Sequence, residues 1–199
     1  MNGFLIINKP IGWTSFDVVR KLRGITGIRK IGHGGTLDAL ATGVLVVALG
    51  KATKKLAEFI HGDKEYVAEI FLGAESVTYD AEGPISKTTG NGFDEGDSIC
   101  GFLVDKLRAA LEGFVGELEQ MPPPYSAKKI HGKRASDIMR AGGTVNLKPK
   151  KIQIFSIELL GFWPEKNLLK IRVFCSAGTY IRSLAHDLGQ KLGCGAYLY

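Results

Sequence analysis

At 199 residues, 45% apolar and 23% charged, the chain has the composition of a globular protein able to bury a sizeable core. No apolar run approaches the roughly 20 residues that span a bilayer, and Met1 to Ile7 has no basic stretch before it, so a cytoplasmic protein without membrane partners is expected. Cys100, Cys175 and Cys194 form no CxxC or Cys/His pattern, which argues against a disulfide framework or a zinc site and for core thiols.

In chain order, Gly3 to Ile7 reads as a strand and Lys9-Pro10-Ile11-Gly12 as a turn. Thr14-Ser15-Phe16-Asp17 caps a helix that turns Val18, Val19, Leu22 and Ile25 inward. Gly32 to Gly43 is a glycine-rich loop with one carboxylate, Asp38, set directly before the apolar strand Val44 to Leu49. Thr53 to Ile60 reads as a short helix with Leu56, Phe59 and Ile60 on one side. Alternation over Lys64 to Leu72 predicts a strand that places Tyr66 with Ala68 and Ile70.

Residues 83 to 98, rich in Gly, Thr, Ser and Asp, read as a surface loop, after which Leu103, Leu107, Ala110, Leu111 and Phe114 recur at helical spacing. Met121 to Ala127 cannot be a helix, because consecutive prolines lack donors and force extended geometry on their predecessors. Ile152 to Phe162 and Leu168 to Cys175 read as a hairpin. Gly178-Thr179-Tyr180-Ile181-Arg182 opens a last helix with Leu184, Leu188 and Leu192 inward. No repeat or linker divides the chain, so the expected fold class is α+β, one domain over residues 1–199 with a central mixed, largely antiparallel sheet flanked by helices and loops.

The net charge of +6 hides an uneven distribution. Residues 1 to 55 carry nine Lys/Arg against two acids, residues 122 to 151 carry eight against one, and residues 56 to 84 carry seven acids against one Lys. Such blocks suit a polyanion, although a short basic run also serves as a plain solvated surface. Gly50-Lys51 after an apolar strand invites comparison with a phosphate-binding loop. That pattern requires Gly at position 45 and Ser or Thr at position 52, where Leu45 and Ala52 stand. No Gly-x-Ser-x-Gly elbow occurs, and His33, His61, His131 and His186 lack metal-ligand spacing. Alone, Asp38 would be read as a turn cap.

Several ordered segments change that reading. They are the opening Leu5-Ile6-Ile7-Asn8-Lys9-Pro10, then Gly32-His33-Gly34-Gly35-Thr36-Leu37-Asp38 with Ala41-Thr42-Gly43, Asp63-Lys64-Glu65-Tyr66 and Asp80-Ala81-Glu82-Gly83. Met121-Pro122-Pro123-Pro124-Tyr125-Ser126-Ala127-Lys128, and Gly178 to Arg182 with Leu192-Gly193-Cys194-Gly195-Ala196, complete the set. Together they resemble the TruB-type tRNA pseudouridine synthases over essentially the whole chain. The resemblance implies a pseudouridine-synthase fold and conversion of the uridine at position 55 in the tRNA T-loop to pseudouridine. It implies tRNA, through T-loop and T-stem, as the partner of a monomer, with no cofactor and no metal.

Moving uracil from an N1 to a C5 linkage breaks and remakes a glycosidic bond without redox change, which calls for an ionised carboxylate near the sugar as nucleophile or proton acceptor. Asp38 matches the family's catalytic Asp, and Arg182 matches the arginine that keeps it charged. Tyr66 matches the aromatic that stacks on the flipped uracil and places its hydroxyl near C5, the position that must lose a proton, and Tyr180 a further substrate-pocket residue. By the same likeness, His33 fills the gap the uridine leaves in the T-loop stack, and Lys9, Lys128 and Lys129 are expected at the RNA backbone. Extrusion is required because the folded loop shields the glycosidic carbon and both uracil edges.

The chain departs from the family pattern at Ala39, where Pro is usual, and at Val77, where Asp is common. The family also continues past Gly-Cys-Gly-Ala into a segment at the active-site wall and then a PUA-type domain. With Tyr199 as its last residue, this chain is expected to have an incomplete pocket wall and to turn substrate over poorly. A catalytically weak RNA-binding module of the same fold, and a synthase acting on another RNA, remain alternatives at this stage.

Overall fold

The computed structural model describes residues 1–88, 100–130 and 132–199, with the backbone alone for 100–103. It divides into two compact units, Met1–Gly62 and Asp63–Tyr199.

The first unit holds β1 (Gly3–Lys9), α1 (Ser15–Thr26), β2 (Ile31–His33), β3 (Gly43–Leu49), a 3-10 turn (Gly50–Lys55) and α2 (Leu56–His61). Its sheet has the order β1-β3-β2, antiparallel throughout, with Gly3 opposite Leu49 and Lys9 opposite Gly43. Thr14 and Asp17 form a reciprocal capping box at the start of α1, and Gly27 ends the helix in the left-handed conformation. Val18 and Val19 pack with Ile31, Leu45, Val47 and Leu49, and Leu22 joins them. Ile25, expected inward, is 69% exposed. Ile28, just past the Gly27 cap, packs against this cluster instead. Of the three side chains expected on one side of the short helix, only Leu56 is buried; Phe59 packs on Phe4 with ring centroids 5.1 Å apart.

The second unit comprises β4 (Lys64–Leu72), β5 (Ala74–Ser76), β6 (Ile85–Lys87), α3 (Cys100–Glu112), β7 (Gly116–Gln120), β8 (Lys129–Ile130), β9 (Lys133–Arg134), α4 (Ala135–Arg140), β10 (Lys150–Trp163), β11 (Leu168–Cys175), α5 (Ile181–Leu192) and β12 (Ala196–Leu198). A five-stranded antiparallel sheet runs β12-β4-β11-β10-β7, and β5-β6 and β8-β9 form two small hairpins. The parallel contact among the described residues is an isolated bridge between Asp80 and Leu198.

Alternation puts Ala68, Ile70 and Leu72 of β4 on one face with Leu169, Ile171, Val173 and Cys175 of β11 and Ile152 and Ile154 of β10. Leu107, Ala110 and Leu111 of α3 and Leu184, Ala185, Leu188 and Leu192 of α5 complete this core. Tyr66 borders it, as the strand phase predicts. Gly189 lets α5 lie against the chain entering β12, since a Cβ there would stand 2.1 Å from the Ala196 nitrogen.

Part of the loop expected over 83 to 98 is strand: Ile85–Lys87 pairs with Ala74–Ser76. All three β6 residues are exposed, so no apolar alternation marks them. Residues 89 to 98 of that expected loop, like His131, lie outside the described residues. Cys175 and Cys194 are buried free thiols, and burial raises the pKa of both. No described helix is long and apolar enough to cross a membrane.

Candidate active site

Asp38 sits in the first unit, on the loop between β2 and β3, and is itself exposed. Both neighbours are tied down. The Leu37 N–H donates to Ser15 Oγ at 2.9 Å. The Ala39 carbonyl accepts from the Gly12 N–H at 2.8 Å and from Lys9 Nζ at 3.3 Å. Asp38 is thus flanked on both sides by residues whose main chain is anchored. Ala39, where the family usually has Pro, is held by these two bonds to its carbonyl.

Earlier in the loop, His33 Nδ1 donates to the Gly35 carbonyl at 2.5 Å, and the Gly34 N–H donates to Val46 at 2.8 Å. Gly34 has no room for a side chain, because a Cβ would lie 2.9 Å from Phe59 Cβ.

Lys9 corrects an expectation. It is fully buried, 0% exposed, and so is not placed to meet an RNA backbone. Its ammonium donates to the carbonyls of Pro10 at 3.0 Å, Trp13 at 2.5 Å and Ala39 at 3.3 Å. Desolvation lowers its pKa, while the negative charges of Asp38 and Asp17 act in the opposite direction. Lys9 therefore braces the Asp38 loop from beneath. Lys9→Met should strand three carbonyls and destabilise the fold by roughly 1.5–3 kcal/mol, as read by chemical denaturation. An unchanged unfolding midpoint would refute the bracing role.

In the second unit Arg182, 8% exposed, lies at the start of α5 and Asp80, 5% exposed, lies between β5 and β6. Arg182 Nη1 donates to Asp80 Oδ2 at 3.2 Å, to the Thr78 carbonyl at 3.2 Å and to the Tyr125 carbonyl at 3.0 Å. Asp80 Oδ1 accepts from Thr78 Oγ1 at 2.6 Å and from the Glu82 N–H at 3.0 Å. The guanidinium is thus fixed by a buried, hydrogen-bonded carboxylate and two carbonyls. Val77, at the second departure from the family pattern, is exposed.

Tyr180 is the residue before α5, and its backbone is paired on both sides with the Gln120 side chain. Ser183 Oγ donates to the Met121 carbonyl at 2.7 Å. The proline segment 121–127 is irregular, as expected, and is fastened to α5 at Met121 and Tyr125. Lys128 and Lys129 are exposed, as are Lys133, Arg134, Arg140, Lys148, Lys150 and Lys151.

Two residues without an assigned role in the sequence reading occupy this network. Asp80 carries a signal in its Asp-Ala-Glu-Gly run. Gln120 carries a subtler one: Glu117 and Glu119 point outward on β7, so Gln120 takes the inward phase with Leu118, where a polar residue needs a partner.

Residues 23–181 match the family described as TruB family pseudouridylate synthase (N terminal domain). The chain is 48% identical over 198 residues to a protein of Dehalococcoides mccartyi named tRNA pseudouridine synthase B, matching along 100% of its own length and 63% of the relative's. It is 50% identical to a protein of the same name from Bacteroides fragilis, with 98% of the chain and 82% of the relative covered. The chain thus spans somewhat under two thirds of the first of these relatives. Among solved structures, it superposes on a chain of a Cbf5-Nop10-Gar1 complex with a TM-score of 0.70 and 32% identity, covering 99% of this chain and 46% of that one. A chain from an H/ACA RNP bound to a substrate RNA containing 2'-deoxyuridine gives a TM-score of 0.67 at 29% identity, over 99% and 45% of the two chains.

Proposed function

Because the chain belongs to the TruB family of pseudouridylate synthases and has the pseudouridine-synthase fold, we propose that it isomerises a tRNA uridine, the T-loop uridine at position 55, to pseudouridine. The observation that carries this reading is the Asp38 loop. An exposed carboxylate is fixed by anchors on both neighbouring residues, next to a strand with a buried face.

In the reaction, Asp38 serves as nucleophile or as proton acceptor at the sugar while the N1–C1′ bond breaks and uracil is reattached through C5. The C5 proton leaves once the new bond has formed and N1, freed from the sugar, takes up a proton, so the product is an isomer of the substrate. Tyr66, on the core phase of β4, stacks on the extruded base, and Tyr180 contributes to the same pocket. A guanidinium keeps the carboxylate ionised, the role taken by Arg182, whose position the Asp80 carboxylate secures. His33 fills the space vacated by the uridine. The reading treats residues 1–199 as one catalytic domain of a monomeric cytoplasmic enzyme that needs no cofactor or metal.

Lys128 and Lys129 are assigned to the phosphate backbone, with the remaining cations of the 128–151 block contributing charge. Affinity for a T-loop hairpin should fall steeply with salt. Each contacting cation removed should lower the magnitude of the log-log salt slope by roughly 0.7 to 0.9. Replacing Lys128 and Lys129 by Ala and recovering the same slope from a correctly folded protein would show the pair to be a solvated surface only.

A further inference from the structure

On the proposed function, Tyr180 and Arg182 serve the substrate from a helix start that has no side-chain cap. The first N–H groups of a helix lack intrahelical acceptors, so what fixes the chain there decides where its side chains stand. Gln120 does so at Tyr180. Its Oε1 accepts the Tyr180 N–H at 2.8 Å, and its Nε2 donates to the Tyr180 carbonyl at 3.0 Å. One side-chain amide thus bonds both main-chain groups of a single residue, as a neighbouring strand would, and the Tyr180 carbonyl also accepts the Leu184 N–H at 3.1 Å.

Gln120 is 2% exposed and paired through its own backbone to Lys150, so the amide is carried by a strand of the sheet. Two more bonds follow the same seam, Ser183 Oγ to the Met121 carbonyl and Arg182 Nη1 to the Tyr125 carbonyl. Those two use carbonyls that residues of any type at positions 121 and 125 would supply. The bond pair at Tyr180 depends on the identity of residue 120.

We infer that Gln120 is a positioning residue for the proposed reaction: its amide locks the main chain of Tyr180 and thereby sets the Tyr180 ring and, two residues on, the Arg182 guanidinium. The chemical consequence rests on the proposed function, whereas the clamp itself does not. An apolar residue of similar bulk would fill the space but leave both main-chain groups of Tyr180 with one partner fewer.

The test compares the full chain with Gln120→Leu and Gln120→Glu. The introduced carboxyl keeps the acceptor, and when protonated it also keeps a donor. When ionised it sets an oxygen against the Tyr180 carbonyl. Burial and that contact disfavour ionisation, so the carboxyl titrates above its ordinary value of about 4.3, and the clamp is intact at low pH and lost as pH rises. Relative to the unaltered chain at the same pH, Gln120→Glu should turn over a T-loop hairpin within about threefold near pH 5 and about 10–100-fold more slowly near pH 8. The RNA Kd should move less than about threefold at either pH, because the clamp acts on geometry at the reacting base rather than on the phosphates.

Amide hydrogen exchange at Tyr180, corrected for intrinsic rates, should accelerate in Gln120→Leu, which removes the side-chain acceptor of that N–H. A Gln120→Glu profile parallel to that of the unaltered chain, unchanged exchange at Tyr180 in Gln120→Leu, or equal losses of turnover and affinity would overturn the inference. If the unaltered chain formed no pseudouridine, the proposed function would fall, and exchange at Tyr180 would still decide the clamp.

Discussion

Asp38→Asn is expected to cut pseudouridine formation by at least about 10²–10⁴-fold, the range attached to losing a positioned acid, base or nucleophile. Binding of the T-loop hairpin should persist. The substitution keeps the size of the side chain and leaves the anchors at Leu37 and Ala39 in place, because both are made by residues other than Asp38. What it removes is the negative charge that the chemistry at the sugar requires. Asp38 and Asp17 also support the charge of buried Lys9, so the Asn variant should melt somewhat lower as well. Single-turnover assays at saturating enzyme separate that effect from the chemical step. Substantial residual turnover would remove Asp38 from the centre of the reaction.

Arg182→Met carries the second large effect, and it is twofold. Asp80 would remain as a buried carboxylate without its cation, and breaking a buried pair from one side typically costs roughly 3–5 kcal/mol. The Thr78 and Tyr125 carbonyls would lose a donor too. A marked drop in melting temperature is expected, with Asp80→Asn giving a smaller one because the guanidinium keeps its two carbonyls.

On activity, turnover should fall far more than RNA affinity. On the proposed function a guanidinium favours the ionised form of the carboxylate, so losing it should move the acidic limb of the rate profile to higher pH. The sign follows from the ionised form being the active one: the deficit grows as pH falls and shrinks as pH rises. A profile scaled down equally at every pH would show that Arg182 acts through the fold alone.

Of the strands, β1, β3, β4, β10 and β11 are legible, β3 as a continuous apolar run and β4 from its period of two, whereas the shorter β2, β5, β7, β8, β9 and β12 carry too few residues to show a pattern. Lys64 to Leu72 and Leu168 to Cys175 match their observed bounds, with Tyr66 on the core phase. The capping box at Thr14 and Asp17 is legible because its two partners stand three residues apart at the helix start. Ile25 is misread because helical spacing says nothing about where the helix stops, and the turn at Gly27 brings Ile28 to the core instead. β6 escapes notice because both its faces are exposed.

At the candidate site, Asp38 and Arg182 are visible as motif residues. Lys9 is misassigned because a charge next to a proline gives no sign of being buried; only the fold brings the Pro10, Trp13 and Ala39 carbonyls around it. Asp80 and Gln120 pair over separations of 102 and 60 residues with Arg182 and Tyr180, a distance that local pattern does not bridge.

The central claim, that this chain is a pseudouridine synthase working through Asp38, is tested most directly by mapping pseudouridine at single-nucleotide resolution on a tRNA T-loop hairpin incubated with the chain and, in parallel, with Asp38→Asn. The account predicts modification at the one T-loop uridine at position 55 with the unaltered chain and none with the variant, both proteins binding the RNA. Hairpin bound by the unaltered chain and recovered with every uridine unconverted, or converted equally by the variant, would contradict it.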